Sequence, residues 1–171
     1  MKDIGVQALG RSLMEMKNLE KLFLRDVGIT AKSIELLYPA LMKLENLKVL
    51  DLSENELKRS ACIRLLDHLQ LHCPNLEELH LARTEASSVG ISTLFQNDPE
   101  FRKLPKLKIL DLRENMIDDQ GARSLLNVLV DRTNLLKVEL DGNQFTPEMV
   151  ASLSSRLSHI MGSLEENEYL E

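Results

Sequence analysis

His68 and His72 stand four residues apart with Cys73 next in line, and they come nearest in this chain to a set of metal ligands. Imidazoles one helical turn apart can share a zinc ion, with a neighbouring thiolate as a third ligand. A fourth ligand is not apparent, and the three lie off the apolar stripe of their helix, so we expect imidazoles on an exposed face and no metal. Cys62 and Cys73 could form a disulfide only if the fold packs them together. With two cysteines in 171 residues, a reducing compartment and free thiols are expected. Asp118-Asp119 and Glu165-Glu166 are paired in sequence, but adjacent side chains diverge, and the first pair sits where a helix cap is wanted. No phosphate-binding loop, Gly-x-Ser-x-Gly or His-Glu-x-x-His occurs. We therefore expect no catalytic residue, cofactor or metal site.

The chain has a formal charge of -6 and a pI of about 5.3, with both signs interspersed. That balance argues against nucleic acid or an anionic membrane as partner and favours a protein with a basic face. Neither a secretory apolar core nor a spanning stretch is visible, so a cytosolic or nuclear compartment fits and a cytoplasmic location is expected; a monomer is expected as well.

Stepping along the chain, the residues sort into copies. Leu107-Lys-Ile-Leu-Asp-Leu-Arg-Glu-Asn115-Met-Ile117 carries apolar residues at offsets 0, 3, 5 and 10 and asparagine at offset 8. Copies start at Leu19, Leu47, Leu76, Leu107 and Leu135, at spacings of 28, 29, 31 and 28 residues. A period in that range means a solenoid, in which one supersecondary unit stacks on the next. Offsets 3 and 5 alternate, which places Leu22 and Leu24, and their counterparts in every copy, on one side of a short strand. Asn55, Asn115 and Asn143 keep offset 8, where an amide can satisfy backbone groups in the bend, while Val27 and Thr84 break that column. The second half of each copy changes to a helical period, as in Ala61, Leu65 and Leu69 or Gly121, Leu125 and Leu129, with small residues where the helix must approach closely. Thr146-Pro147 reads as a helix start.

Gly5, Leu9 and Leu13 fall on the helix phase of an earlier copy, so the chain is expected to begin in mid-repeat. The predicted organisation is a solenoid over residues 1–161, with a half repeat over 1–18 and an acidic tail over 162–171. Polar residues around Pro99, from Gln96 to Lys103, read as an insertion loop.

Strand, turn and helix at this period resemble a leucine-rich repeat of the ribonuclease-inhibitor kind. The implied fold is an α/β horseshoe with a parallel concave sheet and convex helices. In such a strand offsets 2, 4, 6 and 7 point outward. The candidate partner-binding residues are therefore Arg25, Asp51, Glu54, His80, Arg83, Asp111, Arg113, Glu114, Glu139 and Asp141, a mostly acidic face with three arginines. A face of about 800 Å² suffices for a standard protein interface.

The order of the copies carries a further resemblance. Leu47 to Asn55, then Pro74-Asn-Leu-Glu-Glu-Leu-His-Leu81 without a ladder asparagine, then Leu107 to Ile117, then Val138-Glu-Leu-Asp-Gly-Asn-Gln-Phe145 with acidic residues after it, resembles the C-terminal repeats of Ran GTPase-activating proteins. The resemblance implies Ran in its GTP form as partner and a cytoplasmic, nuclear-periphery location. It also implies an activity in which the nucleotide, magnesium and attacking water belong to Ran. In that family an asparagine of an early repeat loop orients the GTPase's own glutamine. Asn55, Asn115 and Asn143 do not match it, so a docking surface with little activity of its own is expected. The alternative is a non-catalytic scaffold of the tropomodulin, innate-immune-receptor or ribonuclease-inhibitor sort.

Overall fold

A computed structural model of the chain describes residues 3–93 and 103–161. The acidic tail and all of the insertion loop but Lys103 lie outside the described residues.

Helix α1 (Asp3–Leu13) leads into β1 (Lys21–Phe23), a 3₁₀ turn (Ser33–Leu36) and α2 (Tyr38–Leu41). The chain continues through β2 (Val49–Asp51), α3 (Lys58–His72), β3 (Glu78–His80), α4 (Ser87–Ile91), β4 (Ile109–Asp111), α5 (Asp119–Leu129), β5 (Lys137–Glu139) and α6 (Pro147–Arg156). The strands form one parallel sheet in sequence order. Because every copy has the same offsets, like residues stand beside like: Leu22, Leu50, Leu79, Leu110 and Val138 are consecutive register partners. They and the offset-5 leucines are buried, and a shift of one residue would turn the whole set to solvent. Beyond β5, Val138 donates its N–H to the Ile160 carbonyl at 2.7 Å, and Val138 bridges Met161, which covers that edge.

The asparagine column joins each coil to the one before it. Asn143 Nδ2 donates to the Leu112 and Leu140 carbonyls at 3.1 and 2.7 Å, while its Oδ1 accepts the N–H groups of Asn115 and Ile117, both at 3.0 Å. Asn55 makes the equivalent contacts three coils earlier, to Leu24, Leu52 and Ile29. Thr84 is not a gap in this column. It is fully buried, and its hydroxyl lies 2.9 Å from the Leu81 carbonyl, the group that an asparagine amide would otherwise satisfy. A second column went unread in the sequence. Asn46, Asn75 and Asn134, each just before the first ladder leucine, donate to the carbonyls of Lys17, Glu45 and Pro105 at 3.1, 2.8 and 2.9 Å.

The helical halves follow the predicted stripe, with Ala61, Leu65, Leu69, Gly121, Leu125, Leu129, Leu153 and Leu157 buried. Two details differ. In the first coil Pro39 lacks the N–H that a continuous helix needs, and the segment divides into a 3₁₀ turn and the single turn of α2. In α1 the buried residues are Val6, Gly10 and Leu13, whereas Gly5 and Leu9 are only partly covered, so the stripe is turned by one residue. Asp118 caps α5 by accepting the Gly121 N–H at 3.0 Å, and Thr146 caps α6 through Met149 N–H at 3.3 Å. Asp119 reaches the next coil instead, accepting from Thr146 N–H and Oγ1 at 2.9 and 2.7 Å.

Gly121 is required by its neighbours rather than by the sheet. A Cβ there would lie 2.6 Å from Ile117 Cγ2 and 2.8 Å from Ser88 Oγ, and Ser88 is itself held by Asp118 at 2.6 Å. Gly121→Ala is expected to lower the unfolding free energy by about 1–3 kcal/mol, as overpacking does. The shift in urea midpoint at constant slope measures it.

The candidate concave binding face

At the exit of each strand the chain bends through a residue with positive φ, and it is offset 7 every time: Asp26, Glu54, Arg83, Glu114 and Gly142, with φ between 50° and 68°. This bend aims the offset-7 side chains across the coils. Glu54 pairs with Arg25 of the coil before it and lies 3.8 Å from Arg83 of the coil after it. Arg83 Nε then donates to Glu114 Oε2 at 2.7 Å, so four alternating charges run along the rim. Gly142 ends that row, since a Cβ there would meet Glu114 Cγ at 2.5 Å.

A second charged group occupies the sheet itself. Arg113 Nε and Nη2 donate to the two Asp111 oxygens at 3.0 and 2.7 Å, a bidentate pair, and the Arg113 backbone N–H adds a bond at 3.1 Å. Arg113 also faces Glu139 at 3.7 Å, and Lys137 holds Glu139 at 2.6 Å. His80 lies between Glu78 at 3.4 Å and Asp111 at 3.8 Å. Burial by itself would raise the Asp111 pKa, but His80 and Arg113 outweigh it and hold this carboxyl well below the usual carboxylate range. The Arg113 guanidinium is raised in turn by its bond to Asp111. Asp141 adds negative charge near Arg113.

The outward columns are therefore less open than their offsets predict. Asp111 is only 1 % exposed because Arg113 and His80 close over it, and Val49, Ser53 and Ala82 are buried as well. Arg25, Arg83 and Glu114 are exposed, while Asp51, Glu54, His80, Arg113, Glu139 and Asp141 are half-buried. Phe23, absent from the charged set proposed above, is 63 % exposed on the same face.

His80 gives the face a pH dependence. Hydrogen bonding toward Asp111 raises its pKa from 6.5, burial lowers it, and Glu78 raises it again, with a net upward shift. Between pH 6.5 and the folded pKa the native state binds the extra proton, so stability must fall as pH rises through that window. His68 acts oppositely: burial, then the His72 charge, lowers its pKa from 6.5, so its contribution is lost as pH falls below 6.5. Melting temperatures taken across pH 5 to 9 should peak near pH 6.5, the unperturbed histidine value. His80→Gln should flatten the alkaline side alone.

On the convex side the histidines are not simply solvated. His68 stacks on Tyr38 with ring centroids 4.7 Å apart, His72 lies 5.2 Å beyond, and Arg64, paired with Glu35, sits 5.9 Å over the Tyr38 ring. Cys73, expected off the core stripe, is fully buried with Sγ 3.8 Å from the Leu41 carbonyl, because it closes the helix end against the preceding coil. Cys62 and Cys73 are free thiols, and burial pushes each up to about 12. Among the described residues no group of three or more His, Cys, Asp or Glu could hold a metal ion, and no helix is long and apolar enough to cross a membrane.

The family model described as Leucine Rich repeat matches residues 103–126. A solved protein from Bacteroides fragilis superposes with a TM-score of 0.67 at 20% identity, over 90% of this chain and 43% of that one. The chain folds as a leucine-rich-repeat solenoid. Among curated relatives, Protein NLRC5 of Ictalurus punctatus is 30% identical over 85% of this chain, and RAN GTPase-activating protein 2 of Arabidopsis thaliana is 25% identical over 98% of it. The ribonuclease inhibitor of Mus musculus is 31% identical over 74% of the chain. The chain spans 8%, 26% and 27% of the length of these three relatives. The solenoid is a protein-interaction domain.

Proposed function

We propose that this solenoid docks a folded protein through its concave sheet and strand-exit rim, and that the partner is the GTP-bound small GTPase Ran. The observation that carries the docking reading is the face itself. Five in-register strands and their exits present mixed charges from Arg25 to Glu139, paired side chain to side chain, along one face of a parallel sheet. Such an arrangement gives orientation and on-rate as well as affinity. The choice of Ran is supported by the order of the repeats and by the likeness to RAN GTPase-activating protein 2 along nearly the whole chain. Location in the cytoplasm, at the nuclear periphery, belongs to the same proposal.

Docking rather than chemistry is this segment's share. Asn55, Asn115 and Asn143 are buried, with both ends of each amide engaged by backbone, so none is free to orient a glutamine of a partner. Following Ran binding and phosphate release together tests this. Binding on the order of tens of micromolar or tighter, without faster release, is the expected result. A second reading, an adaptor for another protein, is favoured by the matches to Protein NLRC5 and ribonuclease inhibitor at 30% and 31% identity. The absence of any Ran binding at that concentration would select it.

A further inference from the structure

Asp51 and Asp111 occupy the same offset two coils apart, and each accepts the backbone N–H of the residue two positions on, Ser53 at 2.9 Å and Arg113 at 3.1 Å. Beyond that bond their surroundings differ. At Asp111 the residue two on is an arginine whose guanidinium grips the carboxylate at 3.0 and 2.7 Å. At Asp51 it is a serine, and no ion pair to Asp51 forms among the described residues, although His80 beside it feels its charge. The Ser53 hydroxyl is buried and has no hydrogen-bond partner among the described residues. The register partner of Asp51 on its other side is Phe23, whose ring is exposed.

Resting on the concave-face reading above, we propose that Asp51 and Phe23 form an anchor for an arginine side chain of the partner protein, whose guanidinium takes at Asp51 the place that Arg113 takes at Asp111. A planar guanidinium meets a carboxylate through two parallel bonds and lies favourably over an aromatic ring, whereas an ammonium is a compact point charge that cannot do the first. The formal charge of -6 favours a basic visitor, and the neighbouring carboxylates Glu54, Asp111 and Glu139 are already occupied by resident cations.

The probe is the tripeptide acetyl-Gly-Arg-Gly-amide, titrated into the isotopically labelled chain and followed by NMR, with its citrulline counterpart as the uncharged isostere. The expected result is a saturable shift centred on the Phe23 ring and the Asp51 region, weakened about fivefold or more by citrulline. Asp51→Asn should weaken it to the same degree while leaving the remaining spectrum unchanged, since the amide oxygen still accepts the Ser53 N–H. Phe23→Ala should weaken it about threefold. Glu148→Gln, on helix α6 away from the sheet, should leave it as it was. No saturable shift, a shift centred elsewhere, or equal response to arginine and citrulline overturns the proposal. Because the tripeptide is tested on the chain alone, failure to bind Ran would leave a positive result standing, whereas a chain that binds Ran but gives no saturable shift with the tripeptide would remove the anchor and keep the docking.

Discussion

Replacing Asn115 by alanine is expected to lower the unfolding free energy by about 3–5 kcal/mol, the cost of leaving several buried backbone groups without partners. Its Oδ1 accepts from Thr84 N–H and Ala86 N–H, both at 3.1 Å, and lies 2.9 Å from the Thr84 hydroxyl. Its Nδ2 donates to the Leu81 and Arg113 carbonyls at 2.7 and 3.1 Å. Alanine can replace none of these, and the site is too tightly covered for water to enter freely, since Asn115 and Thr84 are both fully buried. The damage should extend beyond one coil, because in a solenoid each repeat is stabilised by the interface with its neighbour. Guanidinium denaturation would read it as a lower midpoint, and hydrogen exchange should show the third coil opening first. A loss below about 1 kcal/mol would mean that the amide is not what joins the coils.

Leu112→Ala is expected to cost about 2–5 kcal/mol, the transfer term of the side chain plus the cavity left between coils. Leu112 is fully buried in the apolar column that includes Leu81 and Leu140, where relaxation from either side is blocked by the parallel strands. Its neighbour Arg113 supplies the contrast. A side chain read only as outward-facing should be dispensable, but Arg113 is what neutralises the nearly buried Asp111. Arg113→Ala should therefore cost about 1–3 kcal/mol, with partial exposure of the arginine keeping it toward the lower end. Thermal unfolding that ranked Arg113→Ala above Leu112→Ala would reverse the inward and outward assignment.

The leucine spacing made the strands, their parallel order and their register legible, because a repeat of fixed offsets allows one stacking. The helix stripe was legible for the same reason in α3, α5 and α6, down to Thr146 and the Asp118 cap, but not in α1, where it is turned by one residue. Thr84 misled because the column was read by residue name; what the bend needs is a buried donor to the Leu81 carbonyl, and a hydroxyl can supply one. The second asparagine column was present in the sequence, in Asn46, Asn75 and Asn134 just before a ladder leucine, and the period alone could have revealed it. The closure of Asp111 was not legible. Whether a strand residue between two leucines is open or covered depends on what its neighbours in the adjacent coils lay over it, and Arg113 and His80 do so only once the coils are stacked. The same holds for the rim, where the positive φ at Glu54 and Arg83 carries their side chains toward adjacent coils.

Titrating GTP-loaded Ran into three versions of the chain tests the central claim, that the concave face is the docking surface. The versions are the wild type, the concave double variant Phe23→Ala/Asp51→Asn, and the convex variant Leu71→Ala, whose side chain is 73 % exposed on α3. The account predicts binding by the wild type and by Leu71→Ala with equal affinity, and a loss of about tenfold or more in the double variant, as expected when central anchor contacts are removed. Equal binding by all three, a loss confined to Leu71→Ala, or no binding by any of them would contradict it.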